Sequence, residues 1–294
     1  MTQHIKMMHM NLLNDYILTL SCPDQIGIVH GVSGLLLKYQ GNIIDAQQFG
    51  DEQSNHFFLR IHFSLQSNSQ FNLLKNDFKV LAEAFEMTWQ IHDAQQKSKL
   101  LVLVSKQGHC LNNLLFRVRT QQLRANIIGV VSNHRDFEDM VVSNGIPFHY
   151  LPVTPESKAT QEADILNLVE KTETDLVVLA RYMQILSSDL CQALSGRAIN
   201  IHHSFLPSFK GARPYYQAHA RGVKIIGATA HYVTPDLDEG PIIEQDIERV
   251  DHTMSAQDLT AVGSDVESRV LARAVGSHVE HRILINGNKT VVFK

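Results

Sequence analysis

Five short apolar runs set between helical stretches constrain this chain more than any other feature. They are residues 100–104, 127–131, 148–152, 176–180 and 198–202. The first, LLVLV, contains no polar residue, so both of its faces need cover. Strands of that kind alternating with helices form βαβ units and a doubly wound open sheet. Ligands in such sheets sit beyond the carboxyl ends of the strands, so the residues after each run are the ones to inspect. From Lys224 the pattern becomes two longer β runs, 225–233 and 242–250, separated by TPDLDEGP. A long helix is expected from Ser255, with Asp258 as a capping-box variant. Asn286-Gly287 between two short β runs predicts a terminal hairpin.

The N-terminal part reads differently. Residues 16–21 (YILTLS) form a β-type run, broken by Cys22-Pro23-Asp24-Gln25-Ile26-Gly27. Ile28, Val32, Leu35, Leu36 and Tyr39 then recur at helical spacing, with Gly41 as a stop. Residues 42–49 and 57–65 are strand candidates, the second with Phe57, Leu59, Ile61 and Phe63 on one face. Residues 71–85 are helical and 87–91 form a last strand. The order βαββαβ is that of a ferredoxin-like unit. The polar stretch 92–99 reads as a linker, and the first ten residues read as a loose tail. Two domains are therefore expected, 13–92 and 99–294.

Composition removes several functional classes. Lys plus Arg number 26 and Asp plus Glu 30, so the net charge of −4 makes the chain a poor general binder of nucleic acid. No apolar run approaches the ~20 residues of a membrane span, and residues 1–14 do not read as a secretory signal. Cys22, Cys110 and Cys191 are odd in number and far apart, which fits a reducing cytosol and neither a disulfide framework nor a CxxC metal site. No nicotinamide or flavin fingerprint is present, so no redox cofactor is expected.

The chemistry concentrates in AINIHHSFLPSFKG, residues 198–211. Side chains alternate along a strand, so Asn200 and His202 point one way and Ile201 points into the core. An amide donor and an imidazole at the carboxyl end of a sheet suit an oxygen that becomes negative during attack on a carbonyl. The competing reading is a strand edge with two satisfied polar residues. Asp236-Leu237-Asp238-Glu239-Gly240-Pro241 forms an acidic turn between two strands; a carboxylate there can orient the imidazole, and otherwise it is only solvated.

Taken together, INIHHSFLPSFKGARPYYQA and GATAHYVTPDLDEGPIIEQD resemble the formyl-transfer domain of 10-formyltetrahydrofolate enzymes. The resemblance covers roughly residues 99–294 and implies a Rossmann-like, doubly wound formyltransferase domain. It puts Asn200, His202 and Asp238 at the positions of that family's catalytic triad. Residues 179–186 (LARYMQIL) resemble the segment whose backbone holds the pterin, which marks Arg181, Met183, Gln184 and Leu186 as substrate-binding, with His231 and Thr234 beside them. The N-terminal unit, with Pro23-Asp24-Gln25-Ile26-Gly27-Ile28, resembles an ACT domain. An ACT domain fused before a formyl-transfer domain is the arrangement of the formyltetrahydrofolate deformylases, which hydrolyse 10-formyltetrahydrofolate to formate and tetrahydrofolate. That activity supplies formate for purine synthesis and balances the one-carbon folate pool.

The same resemblance implies an amino-acid effector, methionine or glycine, at Asp24, Gln25, Ile26 and Gly27, and a cytoplasmic homo-oligomer with neither a nucleic-acid nor a membrane partner. One departure favours a hydrolase. Where glycinamide ribonucleotide formyltransferases carry a Gly-rich loop that cradles a phosphate, this chain has the bulky Ser105-Lys106-Gln107-Gly108-His109-Cys110. In the expected reaction Asp238 binds and deprotonates water, directly or through His202, while Asn200 and His202 donate to the formyl oxygen. His203 is expected on the opposite face. His231 either lines the site or supports Asp238, and Lys210 and Arg213 meet the acidic tail of the folate or are simply solvated. The alternatives are a formyltransferase to an amine such as glycinamide ribonucleotide, a zinc amidohydrolase built on His202, His203, His231 and Asp238, and a non-catalytic sensor. Adjacent strand histidines should diverge and no HxH or HExxH spacing is present, which speaks against zinc.

Overall fold

A computed structural model describes residues 14–206 and 214–294. The N-terminal tail, and Lys210 and Arg213, lie outside the described residues. By internal contacts the chain forms two compact units. One runs to Gln96 and includes 281–284 and 291–294; the other comprises 97–280 and 285–290.

The first unit holds β1 (Asn14–Pro23), α1 (Ile28–Lys38), β2 (Asn42–Asp51), β3 (His56–Leu65), α2 (Asn68–Ala84) and β4 (Thr88–Asp93). Its antiparallel sheet has the order β2-β3-β1-β4, the ferredoxin-like order expected of βαββαβ. Phe57, Leu59, Ile61 and Phe63 alternate onto the helix side and join Val32, Leu36, Leu74 and Phe78 in one core. The expected linker is short, because β4 reaches Asp93 and the next strand begins at Ser98.

The second unit contains β5 (Ser98–Val104), α3 (His109–Arg119), β6 (Ala125–Ser132), α4 (Glu138–Ser143), β7 (Phe148–Tyr150), α5 (Lys158–Lys171), β8 (Leu176–Leu179), α6 (Ser188–Ala193), β9 (Ala198–His202), α7 (Pro214–Ala220), β10 (Ile225–Tyr232), β11 (Ile242–Arg249) and α8 (Ala256–Val279). The seven-stranded sheet has the order β11-β10-β9-β8-β5-β6-β7. Strands β5 to β9 are parallel, and β10 and β11 are antiparallel additions. Leu100 to Val104 are completely buried, as the unbroken apolar run requires. Leu101 and Leu103 pack with Ile165 and Val169 of α5 and Leu190 of α6. Helix α8 lies against β9, β10, β11 and α3. Its start is a full capping box between Ser255 and Asp258. The chain ends in the expected hairpin, β12 (Ile283–Asn286) and β13 (Lys289–Val292), turning on Gly287 at φ 60°.

The connections from β5 lead to β6 and β7 on one side, and the chain returns through β8 and β9 on the other. The order therefore reverses between β5 and β8, where a doubly wound sheet opens a crevice at its carboxyl edge. No helix among the described residues is long and apolar enough to cross a membrane.

Candidate active site

Strand register gathers the polar residues. Pairing of β9 with β10 sets His231 opposite Asn200 and Thr229 opposite His202. Opposed residues share a face, so the alternation that joins Asn200 to His202 adds His231 to the group. The Nδ2 of Asn200 lies 3.3 Å from His231 Nε2, and His231 Nδ1 lies 2.9 Å from the Tyr232 carbonyl. A carbonyl only accepts, so Nδ1 carries a hydrogen toward Tyr232 O. One amide hydrogen of Asn200 remains for the cleft.

Asp238 comes from the loop between β10 and β11. Its Oδ1 is 3.2 Å from His202 Nδ1 and 3.6 Å from His231 Nε2. The loop is tight: Asp238 takes φ 58°, a left-handed conformation that Asp tolerates better than most residues. At Gly240 a Cβ would fall 1.7 Å from the Tyr232 carbonyl oxygen, so only glycine fits. The Tyr232 N–H closes the loop by donating to Pro241 O at 2.9 Å. Burial alone would raise the Asp238 carboxyl pKa, but contact with His202 and His231 outweighs it and holds the group well below the usual carboxylate range. Asp238 is thus a fixed anion. His202 Nδ1 donates to it, and His202 Nε2 is buried and has no hydrogen-bond partner among the described residues.

These groups sit at one end of a cleft of about 650 Å³ at the carboxyl ends of β8 and β9. Leu179, Met183, Ile185 and Leu237 give it apolar walls. The expected residues Arg181, Met183, Gln184, Leu186, His231 and Thr234 all line it. Met183 is anchored by its N–H, which donates to Ser105 Oγ at 3.0 Å, and Thr234 Oγ1 donates to Asp236 O at 3.0 Å. Arg181, 7% exposed, spends its guanidinium on protein partners rather than on the cleft. Its Nε donates to Gln107 Oε1 at 2.8 Å and lies 3.3 Å from Glu267 Oε2, while an Nη is 2.6 Å from His203 Nδ1.

The expectation that His203 faces away from His202 is corrected. The strand ends at His202, so alternation no longer holds, and the two rings stack with centroids 4.8 Å apart and planes at 20°. His203 also lines the cleft. Burial, the Arg181 guanidinium and the neighbouring His202 push its pKa down to about 4. A guanidinium has no acceptor, so His203 Nδ1 accepts from Arg181 and its hydrogen sits on Nε2.

Sequence reasoning missed the residues behind Arg181. Glu267, 1% exposed on α8, accepts from Tyr215 Oη at 2.5 Å and lies 2.7 Å from His109 Nε2. Burial raises its pKa, but His109, Arg181 and Tyr215 outweigh that and lower it, so it is a paired buried anion. His109, Cys110 and Glu267 bring donor atoms within 4.8 Å of one another. They do not form a cation site, since Arg181 already supplies the positive charge and burial drives the Cys110 thiol pKa upward.

In the first unit, Asp24, Gln25, Ile26 and Gly27 form an exposed turn between β1 and α1. Gly27 is the α1 N-cap at φ 102°, no side chain among the described residues caps the helix, and the Asp24 N–H donates to Asn55 O at 2.9 Å.

A seven-stranded α/β sheet with an amide, an imidazole and a carboxylate converging beyond its strands defines a class of acyl-transfer enzyme, and the formyl transferase family matches residues 98–275. Comparison with known proteins narrows this further. A formyltetrahydrofolate deformylase of Synechocystis is 49% identical over 280 residues, 94% of this chain and 97% of that one. The crystal structure of a formyltetrahydrofolate deformylase from Burkholderia mallei superposes with a TM-score of 0.92 at 50% identity, covering 96% of this chain and 100% of that chain. A glycinamide ribonucleotide transformylase from Symbiobacterium toebii matches with a TM-score of 0.63 at 28% identity, covering 67% of this chain and 95% of its own. The chain belongs to the formyltetrahydrofolate deformylase family.

Proposed function

We infer that this protein hydrolyses 10-formyltetrahydrofolate to formate and tetrahydrofolate, supplying formate and balancing the one-carbon folate pool. The observation that carries the reading is the convergence of Asn200, His202 and Asp238 in one cleft of a chain related nearly end to end to deformylases. The transferase alternative is not favoured, because the glycinamide ribonucleotide transformylase resembles only two thirds of the chain.

The geometry assigns roles to the three groups. Asp238 is too weak a base to deprotonate water itself, since its charge is already held by the histidines. His202 Nε2 takes the proton as the water oxygen bonds to the formyl carbon, and the resulting imidazolium is stabilised by Asp238 at Nδ1. The free Asn200 N–H donates to the formyl oxygen as it becomes an oxyanion. His202 then returns the proton to N10, the C–N10 bond breaks, and formic acid leaves and ionises. Every proton and electron pair is accounted for by side chains and water, so the reaction needs no metal or redox cofactor. The pterin-binding role belongs to the backbone of residues 181–186 and the apolar cleft walls; the Arg181 side chain is committed elsewhere.

The four-stranded unit is read as an ACT domain that binds methionine or glycine at the Asp24–Gly27 turn and pairs with a second copy of the chain. The ferredoxin-like strand order and the uncapped N–H groups of α1 support that reading. A cytoplasmic location agrees with three free, buried cysteines.

The test is formate release from 10-formyltetrahydrofolate by the purified protein, with and without EDTA and with glycinamide ribonucleotide present. Formate release unchanged by either addition supports the reading. Formyl transferred to the ribonucleotide, or loss of turnover in EDTA, overturns it.

A further inference from the structure

The proposal rests on the hydrolase reading above and concerns what makes water the acceptor. In a doubly wound sheet the crevice at the reversal of strand order is where a second substrate would enter. Here that crevice lies between the ends of β5 and β8. Gln107, from the loop after β5, and Arg181, from the turn after β8, close it directly, because Arg181 Nε and an Nη both reach Gln107 Oε1 at 2.8 and 2.5 Å. Arg181 continues to His203 at 2.6 Å, and the His203 ring stacks on His202. Side chains therefore run unbroken from the reversal point to the catalytic imidazole. Glu267 holds the row from behind through its ion pair with Arg181 and its contacts with Tyr215 and His109.

Two observations show that this row is built rather than incidental. Arg181 adopts φ 65°, a left-handed conformation that favours glycine, so a long side chain is retained where the backbone suits none. It is also a buried cation whose donors are directed to Gln107, His203 and Glu267, which makes it a member of a satisfied network and not a ligand arm.

We propose that Arg181, with Gln107, His203 and Glu267, is a specificity plug that excludes amine nucleophiles from the formyl carbon and leaves water as the only acceptor. In the excluded reaction an amine nitrogen would bond to the formyl carbon, lose its proton to His202 and displace N10, giving an N-formyl amide in place of formate. The side chains occupy the approach that such a nucleophile needs. Water enters by the cleft that His202 and Asn200 line and does not need that approach.

The experiment measures product partition. Wild type, Arg181→Gly/Glu267→Gln and His203→Ala are each turned over with 10-formyltetrahydrofolate in the presence of glycinamide or hydroxylamine. Formate and N-formyl product are quantified by mass spectrometry. Glycine suits φ 65°, and Gln at 267 avoids an orphaned buried charge, so the double variant keeps its backbone; circular dichroism checks it. The ratio of N-formyl product to formate does not depend on the folded fraction. Wild type is expected to give formate alone, and at least one folded variant to raise the ratio by about tenfold or more. Folded, active variants that retain the wild-type ratio overturn the plug, as does a wild type that formylates glycinamide as readily as they do. Absence of formate from wild type without any amine would instead overturn the hydrolase reading.

Discussion

Gly240→Ala is the smallest change that should disable the site. The added methyl would lie 1.7 Å from Tyr232 O and 2.9 Å from Tyr232 C. An ordinary carbon–oxygen contact is about 3.3–3.6 Å, so roughly 1.6 Å of movement is needed, and both sides of the clash are backbone. Either way a catalytic group moves. If the loop yields, Asp238, two residues away, leaves His202. If the strand yields, the Tyr232 carbonyl leaves His231 Nδ1, which it meets at 2.9 Å, and His231 releases the Asn200 amide. A misplacement of about 1 Å costs on the order of 10²-fold in rate. Inserting a methylene into a packed site costs about 1–3 kcal/mol, which lowers Tm by roughly 2–12 °C in a unit of this size. The assay is kcat/KM for formate release together with a melting curve. The control is Gly276→Ala in α8, where a Cβ meets nothing within 4 Å; it should keep activity and gain up to about 1 kcal/mol. A folded Gly240→Ala enzyme within about threefold of wild type would refute the claim that this loop holds the carboxylate in place.

The remaining predictions concern charge and protons. Asn200→Ala should lower kcat by about 2.7–4 kcal/mol of barrier with KM little changed, because its donor acts on the developing oxyanion; a loss confined to KM would reassign it to ground-state binding. Asp238 has its pKa lowered from 3.8, so its contribution is complete above that value and disappears only as pH falls through the depressed one. Asp238→Asn should therefore lose roughly 10²–10⁴-fold between about pH 5 and 9, and recovery to the wild-type rate at either end would contradict the role. His203 is pushed from 6.5 to about 4, so the unfolded chain takes up its proton first. Stability should fall as pH drops from about 6.5 to 4, by up to about 3 kcal/mol, and His203→Gln should remove that component in paired denaturation curves at high and low pH.

The groups proposed to perform the chemistry were legible because local rules position them. Asn200 and His202 share a face by strand alternation, LLVLV announces a strand covered on both sides, and Asp238 sits in a turn whose Gly240 the backbone demands. The groups that restrict the chemistry follow no local rule. Glu267 lies in the middle of α8 between Val266 and Ser268, and nothing near it in sequence signals that its partners come from α3, α7 and the turn after β8. Arg181 was legible as a position lining the cleft but not as a direction, since its guanidinium is buried against Gln107, His203 and Glu267, which lie far from it in sequence. His203 failed for a related reason: alternation was carried one residue past the end of the strand that enforces it. A catalytic triad must match a reaction common to many acceptors, so short motifs preserve it. Choosing the acceptor requires only that some set of side chains fill a crevice, and a buried network drawn from distant segments does so without leaving a motif.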